Sequence, residues 1–158
     1  MKIAIYPGAF DPITTGHLDV LKRGVEFIDK IIISVGISSD KKNLFSIKER
    51  IEFIKKSISD IPSIEVDSFD GLMVEHAKKH SAVAAIRGLR VLSDFEFEFK
   101  MALMNRSLNE KINTVFLMPN SKYIHISSSM VKEVASLGGD VSDYVPSHVN
   151  DELIKKYK

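Results

Sequence analysis

The sequence predicts a doubly wound α/β protein, a five-stranded parallel sheet with helices on both faces. Three observations carry this expectation. Short β-branched runs alternate with segments whose apolar residues recur every three or four positions. The run Ile31 to Ile37 is nearly continuous in apolar residues, as strands covered on both faces are. No linker longer than a loop interrupts the alternation, so the 158 residues read as one domain, 1–158.

Ile3 to Tyr6 reads as a first strand stopped by Pro7 and Gly8. From Gly16 to Ile28, Leu18, Leu21, Val25 and Ile28 trace one face of a helix, and Ile31 to Ile37 follows as the second strand. Ser38 to Asn43 is a polar loop. Ser46 and Glu49 have capping-box spacing before Ile47, Ile51, Ile54 and Ile58. Ile64 to Phe69 is a third strand, Leu72 to His80 a helix, and Ala82 to Ile86 a fourth strand running into Arg87-Gly88. A second capping box, Ser93 with Glu96, opens a helix reaching about Leu108. Thr114 to Met118 is the fifth strand, and Ser127 to Leu137 a helix ended by Gly138-Gly139.

Composition excludes several classes of function. Lys plus Arg number 22 against 21 Asp plus Glu, so a net charge of +1 supplies no general field for nucleic acid. Any anion site must be local. With no cysteine, disulfides, thiolate nucleophiles and zinc ribbons drop out, and a reducing compartment fits. No signal-peptide core and no run of about 18 apolar residues is present, so a soluble cytoplasmic protein without membrane partners is expected. Gly-x-Gly-x-x-Gly, the Walker phosphate loop, Gly-x-Ser-x-Gly and His-Glu-x-x-His are all missing.

In doubly wound sheets, ligands bind beyond the carboxyl ends of the strands, which directs attention to the turns there. His17 enters a helix whose backbone N–H groups attract anions, and its imidazole can donate to a phosphate oxygen; a purely structural histidine is the alternative. Gly8 and Gly16 would let backbone approach a ligand or merely turn the chain. Arg87 and Arg90 place two guanidinium forks at the end of the fourth strand, for phosphate or for ion pairs with Asp94 or Glu96. Lys41-Lys42 occupies a similar position, or is simply solvated. Ser127, Ser128 and Ser129 form a second anion cradle, or one of them is a plain N-cap. Phe95, Phe97, Phe99, Met101, Leu103 and Met104 make one helix apolar over more than one stripe, as a subunit contact or a centrally buried helix would be.

The blocks YPGAFDPITTGH, KKNLF, IRGLR, DFEFE and ISSSMVKEVA, in this order, resemble those of the bacterial phosphopantetheine adenylyltransferase family, within the nucleotidyltransferase superfamily. The likeness spans nearly the whole chain and implies a Rossmann-like nucleotidyltransferase fold. It implies transfer of the adenylyl group of ATP to 4′-phosphopantetheine, giving dephospho-coenzyme A and pyrophosphate, with Mg²⁺ carried mainly by the ATP phosphates and no metal-ligating side chains. By the same resemblance, His17 stabilises the transition state, Lys41 contacts the attacking substrate, Arg87 holds its phosphate and Met73 lines the pantetheine arm. Gly88, Leu89, Arg90, Glu98, Tyr123, Ile124, His125, Ile126, Ser127, Ser128 and Ser129 correspond to ATP-binding positions, as does His17, and Ala9 and Phe10 lie where both substrates meet. The family usually has Thr or Ser where Ala9 stands, which leaves the backbone N–H as the donor there. Resemblance further implies a homohexamer. The alternatives are a nucleotidyltransferase for another phosphate acceptor, such as glycerol phosphate or nicotinamide mononucleotide, and an ATP-binding regulator without turnover.

Overall fold

A computed structural model describes residues 1–37 and 42–158 of the chain. Its strands are β1 (Ile3–Gly8), β2 (Lys30–Gly36), β3 (Ile64–Phe69), β4 (Ala84–Gly88) and β5 (Asn113–Leu117), all parallel in the order β3-β2-β1-β4-β5. The helices are α1 (Thr15–Gly24), α2 (Ile47–Ser57), α3 (Met73–Lys79), α4 (Leu92–Leu108), α5 (Ser128–Ser136) and α6 (Ser147–Tyr157). From β1 the chain winds outward through β2 to β3, then crosses back to place β4 on the other side of β1. That reversal is the topological switch point, where open α/β sheets bind ligands.

Alternation along the strands divides the core in two. Ala4, Tyr6, Ile31, Ile33 and Val35 face one layer, built by α1 and α2 with Val131 of α5 and Val149 and Leu153 of α6. Ile5, Ile32 and Ala85 face a thinner layer with Ala77, Ala82 and Ile112. Over this thinner side lies α4, whose Phe97, Leu103 and Met104 are more than half exposed, while its one buried residue is Glu98. Among the described residues no helix is long and apolar enough to cross a membrane.

Three sequence expectations are corrected. The first helix stops at Gly24, although Ile28 remains buried. The Ser93–Glu96 box does not form: α4 begins at Leu92, so Ser93 is already inside the first turn and the N-cap is Val91, with no side-chain bond. The C-terminal α6 was not anticipated; its apolar signal rests mainly on Val149 and Leu153, set among charged residues. The Ser46–Glu49 box is present in both directions, with Glu49 N donating to Ser46 Oγ at 3.2 Å and Ser46 N to Glu49 Oε2 at 2.7 Å. Ser46→Ala therefore lowers unfolding stability by about 1 kcal/mol, whereas Ser93→Ala leaves it nearly unchanged; urea denaturation of the two variants checks this, and equal losses refute the capping assignment.

Candidate active site

The site begins where two strands part. β1 stays in register with β2 as far as Gly8–Val35, but its ladder with β4 contains only Ala4–Ala84 and Ile5–Ala85. Beyond Ile5 and Ala85 the strands splay. Arg87 bridges the opening, its Nη1 donating to Pro7 O at 2.7 Å, while Nε and Nη2 donate to Glu98 at 2.8 and 2.6 Å. Burial opposes the charge on Arg87, but the hydrogen-bonded Glu98 carboxylate outweighs it, so the guanidinium is held more basic than usual. The opening leads into a cavity of about 540 Å³ lined from the β1 turn, the end of β4, α4 and the start of α5.

His17 reaches this cavity through the start of α1. Thr14 is the N-cap: its Oγ1 accepts from His17 N, and its own N–H donates to His17 Nδ1 at 2.9 Å. Because a backbone N–H can only donate, Nδ1 must accept, and the neutral ring carries its proton on Nε2. Burial, then the Arg90 and Arg87 guanidiniums, pushes the His17 pKa down to about 4. At neutral pH the ring is an uncharged donor held edge-on to Phe10, with centroids 5.0 Å apart. Phe10 itself adopts φ 48°, a left-handed backbone that places its ring under Gly8. A Cβ on Gly8 would lie 3.0 Å from that ring, so a side chain here would push the ring aside.

The cavity walls are fixed by polar contacts from distant parts of the chain. Asp11, 2% exposed, accepts from Leu44 N and Phe45 N at 2.9 Å each and from Lys132 Nζ at 2.8 Å. Arg90 donates to Asp94 at 3.1 Å and to Ile126 O at 2.8 Å, tying α4 to the segment before α5. Ser127 caps α5 by accepting from Met130 N, and Ser128 Oγ donates to Pro12 O at 2.7 Å. Two of the three serines are thus structurally engaged, and the first amides of α5 are left without intrahelical partners at the cavity wall. Lys42, Arg87, Arg90 and Lys132 set four cations against the carboxylates of Asp11, Asp94 and Glu98 among the described lining residues, and the free α5 amides add further donors. Such a cavity is built for polyanions.

Comparison with known proteins agrees. Residues 5–134 match the cytidylyltransferase-like family model. The phosphopantetheine adenylyltransferase of Caldanaerobacter subterraneus subsp. tengcongensis is 54% identical over 158 residues, covering 100% of this chain and 99% of its own length. That of Desulfosudis oleivorans is 52% identical over 156 residues, covering 99% and 93%. This chain belongs to the phosphopantetheine adenylyltransferase family. It is an enzyme of the nucleotidyltransferase class. Solved structures carry the fold much further than the sequence does. A bifunctional NMN adenylyltransferase/ADP ribose pyrophosphatase from Francisella tularensis superposes with a TM-score of 0.74 at 14% identity, covering 98% of this chain, which spans about half (49%) of that protein. A putative nicotinate-nucleotide adenylyltransferase from Vibrio parahaemolyticus gives 0.68 at 18% identity, covering 98% and 93% of the two chains.

For this phosphopantetheine adenylyltransferase relative, the structure brings most residues singled out by resemblance into one cavity: Ala9, Phe10, His17, Arg87, Gly88, Arg90, Glu98, Tyr123, Ile126, Ser127, Ser128 and Ser129. Four lie elsewhere. Met73 packs against the thinner core around Ile5 and Ile32. Leu89 N continues the β4–β5 ladder by donating to Leu117 O, Ile124 is part-exposed, and the His125 ring meets Tyr144 edge-on at 5.6 Å. Lys41 lies outside the described residues. The ion-pair reading of the arginines is realised as well, with Glu98 in place of Glu96 for Arg87 and Asp94 for Arg90. Three Arg87 donors are committed, which leaves two N–H groups for a ligand. Sequence reasoning assigned no role to Asp11, Thr14 or Lys132. The signals were an acidic residue in the strand-end turn, a Thr three residues before the histidine, and a lysine in the second turn of α5.

The depressed His17 pKa fixes a pH dependence. Between the unfolded value of 6.5 and the folded value of about 4, the unfolded chain binds a proton at His17 that the folded chain does not. The contribution of neutral His17 is complete above pH 6.5 and is lost as pH falls through that window. His17→Gln, which does not titrate, therefore loses less stability than the parent between pH 7 and pH 5 in urea unfolding; parallel losses refute the assignment.

Proposed function

We propose that this chain transfers the adenylyl group of ATP to 4′-phosphopantetheine, releasing pyrophosphate and forming dephospho-coenzyme A. The observation that carries the reading is the convergence of His17 Nε2–H, the two guanidiniums, Lys132 and the α5 amides on one crevice at the switch point. The relatives' names supply the substrates. An oxygen of the acceptor phosphate attacks the α-phosphorus in line. The new P–O bond forms as the bond from the α-phosphorus to the bridging oxygen breaks, and pyrophosphate leaves with that electron pair. The attacking phosphate oxygen carries no proton that must be removed, so the protein supplies no base. Its task is alignment and neutralisation of developing charge.

His17 Nε2–H donates to a non-bridging α-phosphate oxygen, a bond that strengthens as charge accumulates in the transition state. Arg90, Lys132 and the α5 N-terminus receive the β- and γ-phosphates. Arg87 offers its two remaining N–H groups to the acceptor phosphate, Lys41 is assigned to the same substrate by resemblance alone, and the Ala9 amide lies between both substrates. Every carboxylate among the described lining residues is already paired: Asp11 with Lys132, Asp94 with Arg90, Glu98 with Arg87. A magnesium ion would thus be held by ATP oxygens, where it adds charge neutralisation.

The exposed face of α4, with Phe97, Leu103 and Met104, is the contact surface of a homo-oligomer, a hexamer by resemblance. A cytoplasmic location belongs to the same reading, supported by an ATP-consuming reaction and a cysteine-free sequence.

Pyrophosphate release with a panel of acceptors tests the proposal. Turnover with 4′-phosphopantetheine, and not with glycerol phosphate or nicotinamide mononucleotide, is expected; ATP binding without turnover on any of them refutes it. His17→Ala lowers kcat by roughly a hundred- to a thousandfold, the loss for one preorganised donor, with little change in ATP affinity by calorimetry. Near-parental turnover removes His17 from the mechanism.

A further inference from the structure

Away from the cavity, one group of ligand-type side chains has no part in adenylyl transfer. Asp67 on edge strand β3 meets His76, in the last turn of α3, and His80, the C-cap residue four positions further on. One ligand atom from each of the three lies within 4.8 Å of the others. His80 Nε2 is 2.9 Å from Asp67 Oδ2, and the two imidazole centroids are 4.6 Å apart. His76 is only 6% exposed, stacked on Phe69 at 4.9 Å.

We infer that Asp67, His76 and His80 form a binding site for a transition-metal cation of the Zn²⁺ type, with water completing a tetrahedral shell. Two imidazoles and one carboxylate with an open fourth position are a donor set that such cations accept and that Mg²⁺ and Ca²⁺ do not favour. Ligand atoms on a tetrahedral zinc ion stand about 3.3 Å apart for bonds of about 2.0–2.1 Å. The group spans separations of 2.9 to 4.8 Å, so closure takes about an ångström of side-chain adjustment.

The surroundings support the same reading. Buried Ser34, the register partner of Asp67, donates its hydroxyl proton to Ile32 O at 3.1 Å, and its oxygen lies 2.9 Å from His76 Nε2. That oxygen accepts from the ring, which leaves the lone pair on Nδ1, the outer-shell arrangement typical of metal-ligating histidines. His80 Nε2 offers its lone pair to an ion when that ring carries its proton on Nδ1. Lys79 Nζ, 4.0 Å from Asp67 Oδ2, is on an exposed side chain that can swing away. The ion cross-links β3 to α3 across the 70–72 turn, and the site is separate from the adenylyl-transfer cavity.

Calorimetric titration of the chelator-treated protein with Zn²⁺, repeated with Co²⁺ by visible absorption, tests the site. One equivalent per chain, a tetrahedral Co²⁺ spectrum and a higher Tm with Zn²⁺ are expected. Asp67→Asn and His80→Ala should each weaken Zn²⁺ binding by at least roughly tenfold and abolish the Tm rise. Asp67→Asn is isosteric at a part-exposed side chain, so it decides the matter should His80→Ala fail to fold. Absence of one-to-one Zn²⁺ binding, undiminished affinity in Asp67→Asn, or displacement of Zn²⁺ by millimolar Mg²⁺ overturns the inference.

Discussion

The β1–β4 ladder stops at Ile5 and Ala85, and polar backbone that more strand pairing would have satisfied must then find other partners. Pro7 offers a carbonyl but no N–H, and that carbonyl takes its hydrogen bond from Arg87. A guanidinium wedged between strands costs desolvation energy and needs a countercharge, which Glu98 supplies through two hydrogen bonds. The crevice is therefore held open by an ion pair rather than left open by loose loops. Glu98 is also the one buried residue of α4, so the same pair anchors that helix over the thin side of the sheet.

The β1 turn hangs on a second buried charge. Asp11 joins the turn to the Leu44–Phe45 segment and to Lys132 on α5, three parts of the chain with no local reason to meet. Losing such a carboxylate leaves a cation and two amides unpaired, at a cost of about 3–5 kcal/mol. Behind it, Arg50 reaches Ala9 O at 2.7 Å and Gly36 O at 3.3 Å, while its buried Nε has no partner. The left-handed Phe10 costs about 1–3 kcal/mol, and it persists because Tyr6 and His17 pack against its ring and Asp11 pins the next residue. A left-handed residue and two buried charges thus meet where the ligand must sit closest to backbone.

Much of this arrangement was legible in the sequence, for a physical reason. Strands covered on both faces and helices covered on one impose periods that can be read residue by residue, so all five strands and most helices were anticipated. The turns mattered because strand ends at a switch point must carry the ligand, which drew attention to His17, Arg87, Arg90 and the serines. What failed depends on distance along the chain. The Asp11–Lys132 pair spans 121 residues, and no local pattern encodes it. Ser93 and Glu96 have capping-box spacing, yet the fold starts α4 too early for Ser93 to serve as cap.

The same electrostatics explain why a neutral imidazole sits among fixed cations. Burial first, and then the field of the Arg90 and Arg87 guanidiniums, keeps His17 from charging. A cationic His17 would bind a triphosphate more tightly in the ground state, gaining nothing for the chemical step. A neutral Nε2–H gives a directed hydrogen bond whose strength grows with charge on the oxygen it faces, so its benefit falls at the transition state. The Thr14 N–H fixes the tautomer, the Thr14 hydroxyl caps the helix start at His17 N, and burial followed by the arginine field keeps the ring neutral, so one donor at one helix start is prepared in three ways.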